Sequence, residues 1–199
     1  MPLMLRPRWG RTTLILLLIG ATVGPVLDGL HTFSGATRYA TPQFLESVWW
    51  CPPLFAAAAV AIGLGRLLTE RLLHVPLEDP GLSKVSLSMG CFVGGYAASG
   101  FLPVSEVVKA ALLLACAAGV FVRLDPSRAA ALGALGAGLG GWVVEHTLVG
   151  QGLFFHRDTL LDGVPLWLPP LYFLAAFAIG LLARRLAEPA QKMTEAQSR

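Results

Sequence analysis

The chain has 199 residues, of which 55% are hydrophobic and only 14% charged, and its mean hydropathy is +0.65. A soluble domain carries about 25% charged residues, so the charges here are too few to cover a water-soluble fold of this size, and the composition is that of a membrane protein. The net charge of +3 is too small to suggest a nucleic-acid partner, and no basic stripe with interleaved aromatics appears, so none is expected.

A membrane span needs about 20 predominantly apolar residues. Six segments qualify: 12–31, 51–68, 85–102, 106–122, 129–150 and 166–186. The first follows Arg6, Arg8 and Arg11 and ends on Asp28 and His31, a long run with a polar end unlike a cleaved signal segment. The second opens on "WWCPPLF" at 49–55. The third and fourth are separated only by "FLPVSE", which makes them a tight helical hairpin. The fifth reads "ALGALGAGLGGWVV", with Gly136 and Gly140 spaced for close backbone approach, as Gly90 and Gly94 are in the third. The sixth opens on "WLPPLYF" at 167–173 and repeats the phrase of the second, with Trp167 for Trp50 and Pro169-Pro170 for Pro52-Pro53. Proline suits a first helical turn and tryptophan the headgroup boundary. Convergence on one helix-start chemistry explains the echo better than a duplication, because spans four apart fit no three-plus-three repeat. The expected fold is all-α, a bundle of six transmembrane helices forming a single domain over residues 1–187. Residues 188–199 are a polar cytoplasmic tail.

The basic residues orient the bundle. With the N-terminus in the cytoplasm and the spans alternating, twelve of the fifteen Lys and Arg fall on the inner side. Only Arg38, Lys109 and Arg157 remain outside, while the acidic residues divide six and six. This is the positive-inside pattern, and it places both termini in the cytoplasm.

Ionisable groups within spans are candidate functional groups because they are costly to bury. At 1.5 Å per residue, Asp28 and Glu145 both lie about 24 Å from the cytoplasmic ends of their helices. His31 and His146 are beside them, and His156 is in the outer loop. These groups could serve a membrane enzyme or a proton-coupled transporter, or they could satisfy one another at the boundary. No metal-ligand spacing, nucleophile elbow or phosphate loop accompanies them, so neither a catalytic residue, a metal nor a cofactor is assigned. Glu106 and Lys109 are spaced to pair on one helical face. Cys51, Cys91 and Cys116 are too few and too scattered for a disulfide framework.

The succession "WWCPP", "CFVGGYAAS", "RLDPSR", "GQGLFF" and "LWLPPLYF…IGLLARRLA" resembles the Insig (insulin-induced gene) family, in the same order and at nearly the same spacing, from about Val26 to Ala187. The resemblance implies a non-enzymatic six-helix membrane protein with both termini cytosolic. Eukaryotic members reside in the endoplasmic reticulum, bind oxysterols and retain partner proteins. Prokaryotic relatives look like homo-oligomeric binders of diacylglycerol-like lipid. The short loops suggest a bacterial member in the inner membrane. A scaffold that retains another membrane protein shares this fold and differs only in partner. Phe92 stands where the family has a sterol-contacting Phe. The implied lipid-binding set is Phe92, Gly94, Gly95, Tyr96 and Trp50. Asp125 matches a loop Asp that engages a partner, and alternatively reads as a helix cap before Ser127. The family's Gln in span four falls at Val108, the Arg before its Trp-Leu-Pro at about Pro165, and Asn and Gln occupy the positions of Asp28 and His31.

Overall fold

The computed structural model describes residues 8–44 and 46–188. Arg6, Lys192, Arg199 and the tail from residue 189 onward lie outside the described residues. The helices are α1 (Trp9–Ser34), α2 (Cys51–Leu72), α3 (Leu82–Phe101), α4 (Glu106–Leu124), α5 (Arg128–Gly150) and α6 (Leu168–Ala187), with two short strands, β1 (Thr37–Tyr39) and β2 (Phe154–His156). Of the six helices, α1, α2, α4 and α6 are long and apolar enough to cross a membrane.

The structure is mostly helical, as expected, and adds two short paired strands that the sequence pattern does not anticipate. They pair antiparallel, Thr37 opposite His156 and Tyr39 opposite Phe154. Gly35, with φ of 71°, ends α1 in a left-handed turn and sends the chain back toward the bundle. Three residues are too few to show a period-two pattern, which is why the sequence hides them.

The Pro-Pro starts form as expected. Trp50 and Trp167 are the N-cap residues of α2 and α6, with proline in each first turn. Their environments differ, however. Trp50 is half-buried against the sheet, whereas Trp167 is wholly buried within the protein. The α3–α4 hairpin also forms, and the Ser105 hydroxyl caps α4 by accepting from the Val108 N–H.

Helix α6 is the axis of the bundle and touches the other five helices. Leu168, Leu171, Leu174, Phe177, Ala178 and Leu181 line its buried surface, and a smaller cluster joins Leu16, Leu67, Ala183 and Ala187. α2 runs past its expected end because Arg66 and Glu70 are not the polar margin of a span: both are buried and paired.

In lipid, helix association rests on close van der Waals packing, for which small residues make room. Glycine does so here, but on other faces than the spacing suggests. Gly90, Gly94, Gly136 and Gly140 face open space. The packed positions include Gly20 and Gly24 of α1 against Phe55, Ala56 and Ala59, Gly138 against Phe173, and Gly141 against Tyr172. A Cβ on Gly20 would press on the α2 backbone itself, which cannot swing aside. Gly20→Ala is therefore expected to cost about 1–3 kcal/mol, whereas Gly136→Ala leaves stability unchanged or slightly higher. Thermal unfolding in detergent measures both, and equal melting temperatures would contradict the packing assignment.

Candidate functional site

Two polar clusters occupy opposite ends of the bundle. At the sheet end the strands carry polar side chains onto two helix carboxylates. The Tyr39 hydroxyl donates to Asp28 Oδ2 at 2.8 Å, and the Cys51 thiol approaches the same oxygen at 3.6 Å. Burial pushes the Tyr39 phenol well above its ordinary value, so it stays a neutral donor. Glu145 accepts from the Tyr172 hydroxyl at 3.0 Å and from His156 Nε2 at 3.1 Å, and His156 Nδ1 meets the Thr37 hydroxyl at 3.2 Å.

His31 belongs to a separate contact set. Its Nε2 lies 2.9 Å from Ser99 Oγ, whose own proton goes to the Tyr96 carbonyl at 3.0 Å, so the imidazole is the donor. His146 is apart again, stacked on Trp142 at 5.3 Å and facing the Asp162 carbonyl. The four residues Asp28, His31, Glu145 and His146 are thus divided among different partners. Among the described residues, no three His, Cys, Asp or Glu side chains gather in a metal-binding set.

An aromatic column joins much of the expected lipid-binding set. Phe92 meets Tyr96 edge to face at 5.4 Å, Tyr96 stacks on His31 at 4.6 Å, and His31 abuts Trp167 at 5.1 Å. Trp167 continues to His156, His156 to Phe154, and Phe154 to Tyr39 and Trp50. Phe92, Tyr96 and Trp50 therefore share one column that starts inside α3 and ends at the sheet. Gly95 lies beside it on the buried face of α3, toward Leu113, Leu171 and Leu174. Gly94, the residue before it, is exposed and outside this group. Val108 is 44% exposed and points away from the column. The sequence does not show His156, Phe154 and Tyr39 as column members, because their pairing depends on the sheet, nor His31, whose place depends on how α1 packs against α3 and Trp167.

The loop from β2 to α6 is fastened to α4. Asp158 accepts from Lys109 Nζ at 3.0 Å and from Trp167 Nε1 at 3.0 Å. Burial works to raise its carboxyl, but these two donors outweigh it and hold the group below the usual carboxylate range. The Glu106 carboxylate accepts the backbone N–H groups of Leu160 and Leu166. The expected Glu106–Lys109 pair does not form, since each side chain reaches the loop instead of its helical neighbour.

At the other end, Asp125 Oδ2 lies 2.6 Å from Arg66 Nη2 and 3.7 Å from Arg184 Nη1, while Glu70 Oε1 is 2.9 Å from Arg66 and 3.2 Å from Arg184. Arg66 is 2% exposed and Asp125 5%. Ser127, not Asp125, caps α5, accepting from the Ala130 N–H. Asp125 instead ends α4 and ties the α4–α5 turn to α2 and α6.

Sequence and structure comparisons converge on one family. Insulin-induced gene 1 protein of Xenopus tropicalis is 26% identical over 195 residues, covering 92% of this chain and 75% of the relative. The Homo sapiens protein is 26% identical over 186 residues, covering 88% of this chain and 65% of its own length. The crystal structure of a mycobacterial Insig homologue from Mycobacterium vanbaalenii superposes with a TM-score of 0.78 at 28% identity, covering 90% of this chain and 95% of that one. The chain is similar to the Insig proteins in both sequence and fold. No protein-family model matches it. A cross-linked trimer of the mycobacterial Insig homologue superposes equally well.

In this Insig-like frame the buried network gives Asp125 a measurable weight. Asp125→Ala would leave Arg66 without its nearest counter-charge, and breaking a buried pair from one side costs about 3–5 kcal/mol. Denaturant unfolding in mixed micelles should show a loss of that order. A loss near zero would mean that the pair is hydrated and carries no structural load.

Proposed function

We propose that this chain is a non-enzymatic, lipid-binding integral membrane protein with six spans in one domain over residues 1–187. It holds a diacylglycerol-like lipid, or a sterol or isoprenoid, between its helices. The observation that carries this reading is the largely buried aromatic column from Phe92 through Tyr96 and His31 to the half-buried Trp50, set in an Insig-like bundle. Aromatic faces offer large apolar contact, and burial in such a site is worth about 25 cal/mol per Å². In this reading Phe92 and Tyr96 contact the lipid, Gly95 keeps the α3–α6 seam open, Gly94 thins the outer face of α3, and Trp50 closes the boundary end. The resemblance to a trimeric homologue supports homo-oligomeric assembly. Asp125, buried as it is, would serve a membrane-protein partner by shaping the α4–α5 turn rather than by touching it.

The test is the lipid that accompanies the protein purified in mild detergent, identified by mass spectrometry. One glyceride or isoprenoid species near one per chain is expected. Gly95→Leu should reduce it severalfold, because a larger side chain at this position meets Leu171 and Leu174. A lipid profile that matches the bulk membrane, or the same species kept by well-folded Gly95→Leu and Phe92→Ala, would sink the assignment.

We also propose that both termini are cytoplasmic and that the sheet faces outward, in a bacterial inner membrane. Support comes from the distribution of Lys and Arg between the two ends. A membrane-impermeant maleimide should label Thr41→Cys in intact cells and Glu78→Cys only after lysis. The opposite pattern would invert the topology.

A further inference from the structure

At the sheet end, a cleft of about 310 Å³ opens between the end of α1, the α3–α4 turn and the segment after β2. That volume is at the small end of the range for ligand sites, about 300–1,000 Å³. Among the described residues, Lys and Arg are scarce at this end of the bundle, where only Arg38, Lys109 and Arg157 occur. Two of these three line this one cleft.

Their bonding leaves capacity for a ligand. Lys109 is 3% exposed, and among the described residues its ammonium has one hydrogen-bond partner, Asp158. An ammonium carries three donors, so two are unassigned. Arg157 donates through Nη1 to the Ser34 carbonyl at 3.3 Å, and its Nε is 3.9 Å from Asp158 Oδ1. Its side chain is 48% exposed. Asp158 is the one carboxylate lining the cleft, and it also accepts from Trp167. Glu106 is on the same turn of α4 as Lys109 but spends its oxygens on the Leu160 and Leu166 N–H groups. Two cations facing one shared carboxylate leave a surplus positive charge in a recess. The rim is apolar and open: Phe101, Leu102 and Val104 are all exposed.

We propose that this cleft binds a phosphate group, held by Lys109 and Arg157, and that the apolar rim selects the phosphate of an anionic glycerophospholipid at the membrane boundary. Guanidinium and ammonium groups make charge-assisted hydrogen bonds to phosphate oxygens. Phe101, Leu102 and Val104 would lie along the first acyl carbons. The site is distinct from the aromatic column and does not depend on what that column holds.

Native mass spectrometry of the full chain in dodecyl maltoside tests the proposal, with dioleoylphosphatidylglycerol, dioleoylphosphatidylcholine and inorganic phosphate added separately. Phosphatidylglycerol should be retained in preference to phosphatidylcholine, and Arg157→Gln should lower that retention about tenfold, the effect of one charge-assisted hydrogen bond. Arg157→Lys should recover part of it. Arg123→Gln, an exposed change at the opposite end of the bundle, should leave it unaltered. Arg157 is half-exposed, so the variant is expected to fold, and its melting temperature checks this. Binding of inorganic phosphate that is equally sensitive to Arg157→Gln would keep the phosphate site and assign it to the free ion. Phosphatidylglycerol retention unchanged in Arg157→Gln, or no discrimination between the two lipids without phosphate binding, would overturn it.

Discussion

Hydrocarbon offers no hydrogen bonds, so a charged or polar group buried in this bundle is costly unless it finds a partner within the protein. The rest of the structure follows from that constraint. Arg66, Glu70, Asp125 and Arg184 converge into one network at one end. Asp28, Glu145, His156, Tyr39 and Tyr172 converge at the other. Between them the core is Leu, Ala, Phe and Gly. The polar groups draw helices together that contribute little to each other in sequence, and α6 passes through both clusters through Tyr172 and Arg184.

This arrangement explains why a strand pair of three residues matters in a helical protein. Tyr39 reaches Asp28 only because β1 turns back over α1, and His156 reaches Glu145 only because β2 pairs with β1. The strands thus supply hydrogen-bond donors to two costly carboxylates. They also complete the aromatic column, with Phe154 linking His156 to Trp50. Order at this end and the shape of the interior are therefore coupled through the same few side chains. The phosphate cleft sits on the outer margin of the same region, where the β2–α6 loop is stapled to α4 by Asp158 and Glu106.

Glycine shows how far spacing can be trusted. Gly136 and Gly140 have the four-residue interval of a packing face, yet the packed residues of α5 are Gly138 and Gly141. In a helix this rich in glycine several faces satisfy the interval, and the choice among them depends on where Phe173 and Tyr172 arrive from α6. Charge was ambiguous in the same way. Arg66 reads as the end of a span, but its counter-charges Asp125 and Glu70 let α2 continue through Leu72 with the guanidinium buried.

Membrane character, the number and approximate limits of the helices, the proline starts of α2 and α6, the α3–α4 hairpin and the resemblance to the Insig family were all legible in the residues. Each is a local property: hydropathy summed over about 20 residues, the chemistry of a first helical turn, or motifs in a fixed order. Pairing across the bundle was not legible. Lys109 chose Asp158 over Glu106, Asp125 became an ion-network member rather than the cap of α5, Trp167 was wholly buried against its neighbours, and Gly94 turned away from Phe92. These outcomes depend on helix rotation and on a sheet whose halves are more than a hundred residues apart in the chain. Rotation is set only when all six helices compete for the same interior, because that competition decides which face of each is buried.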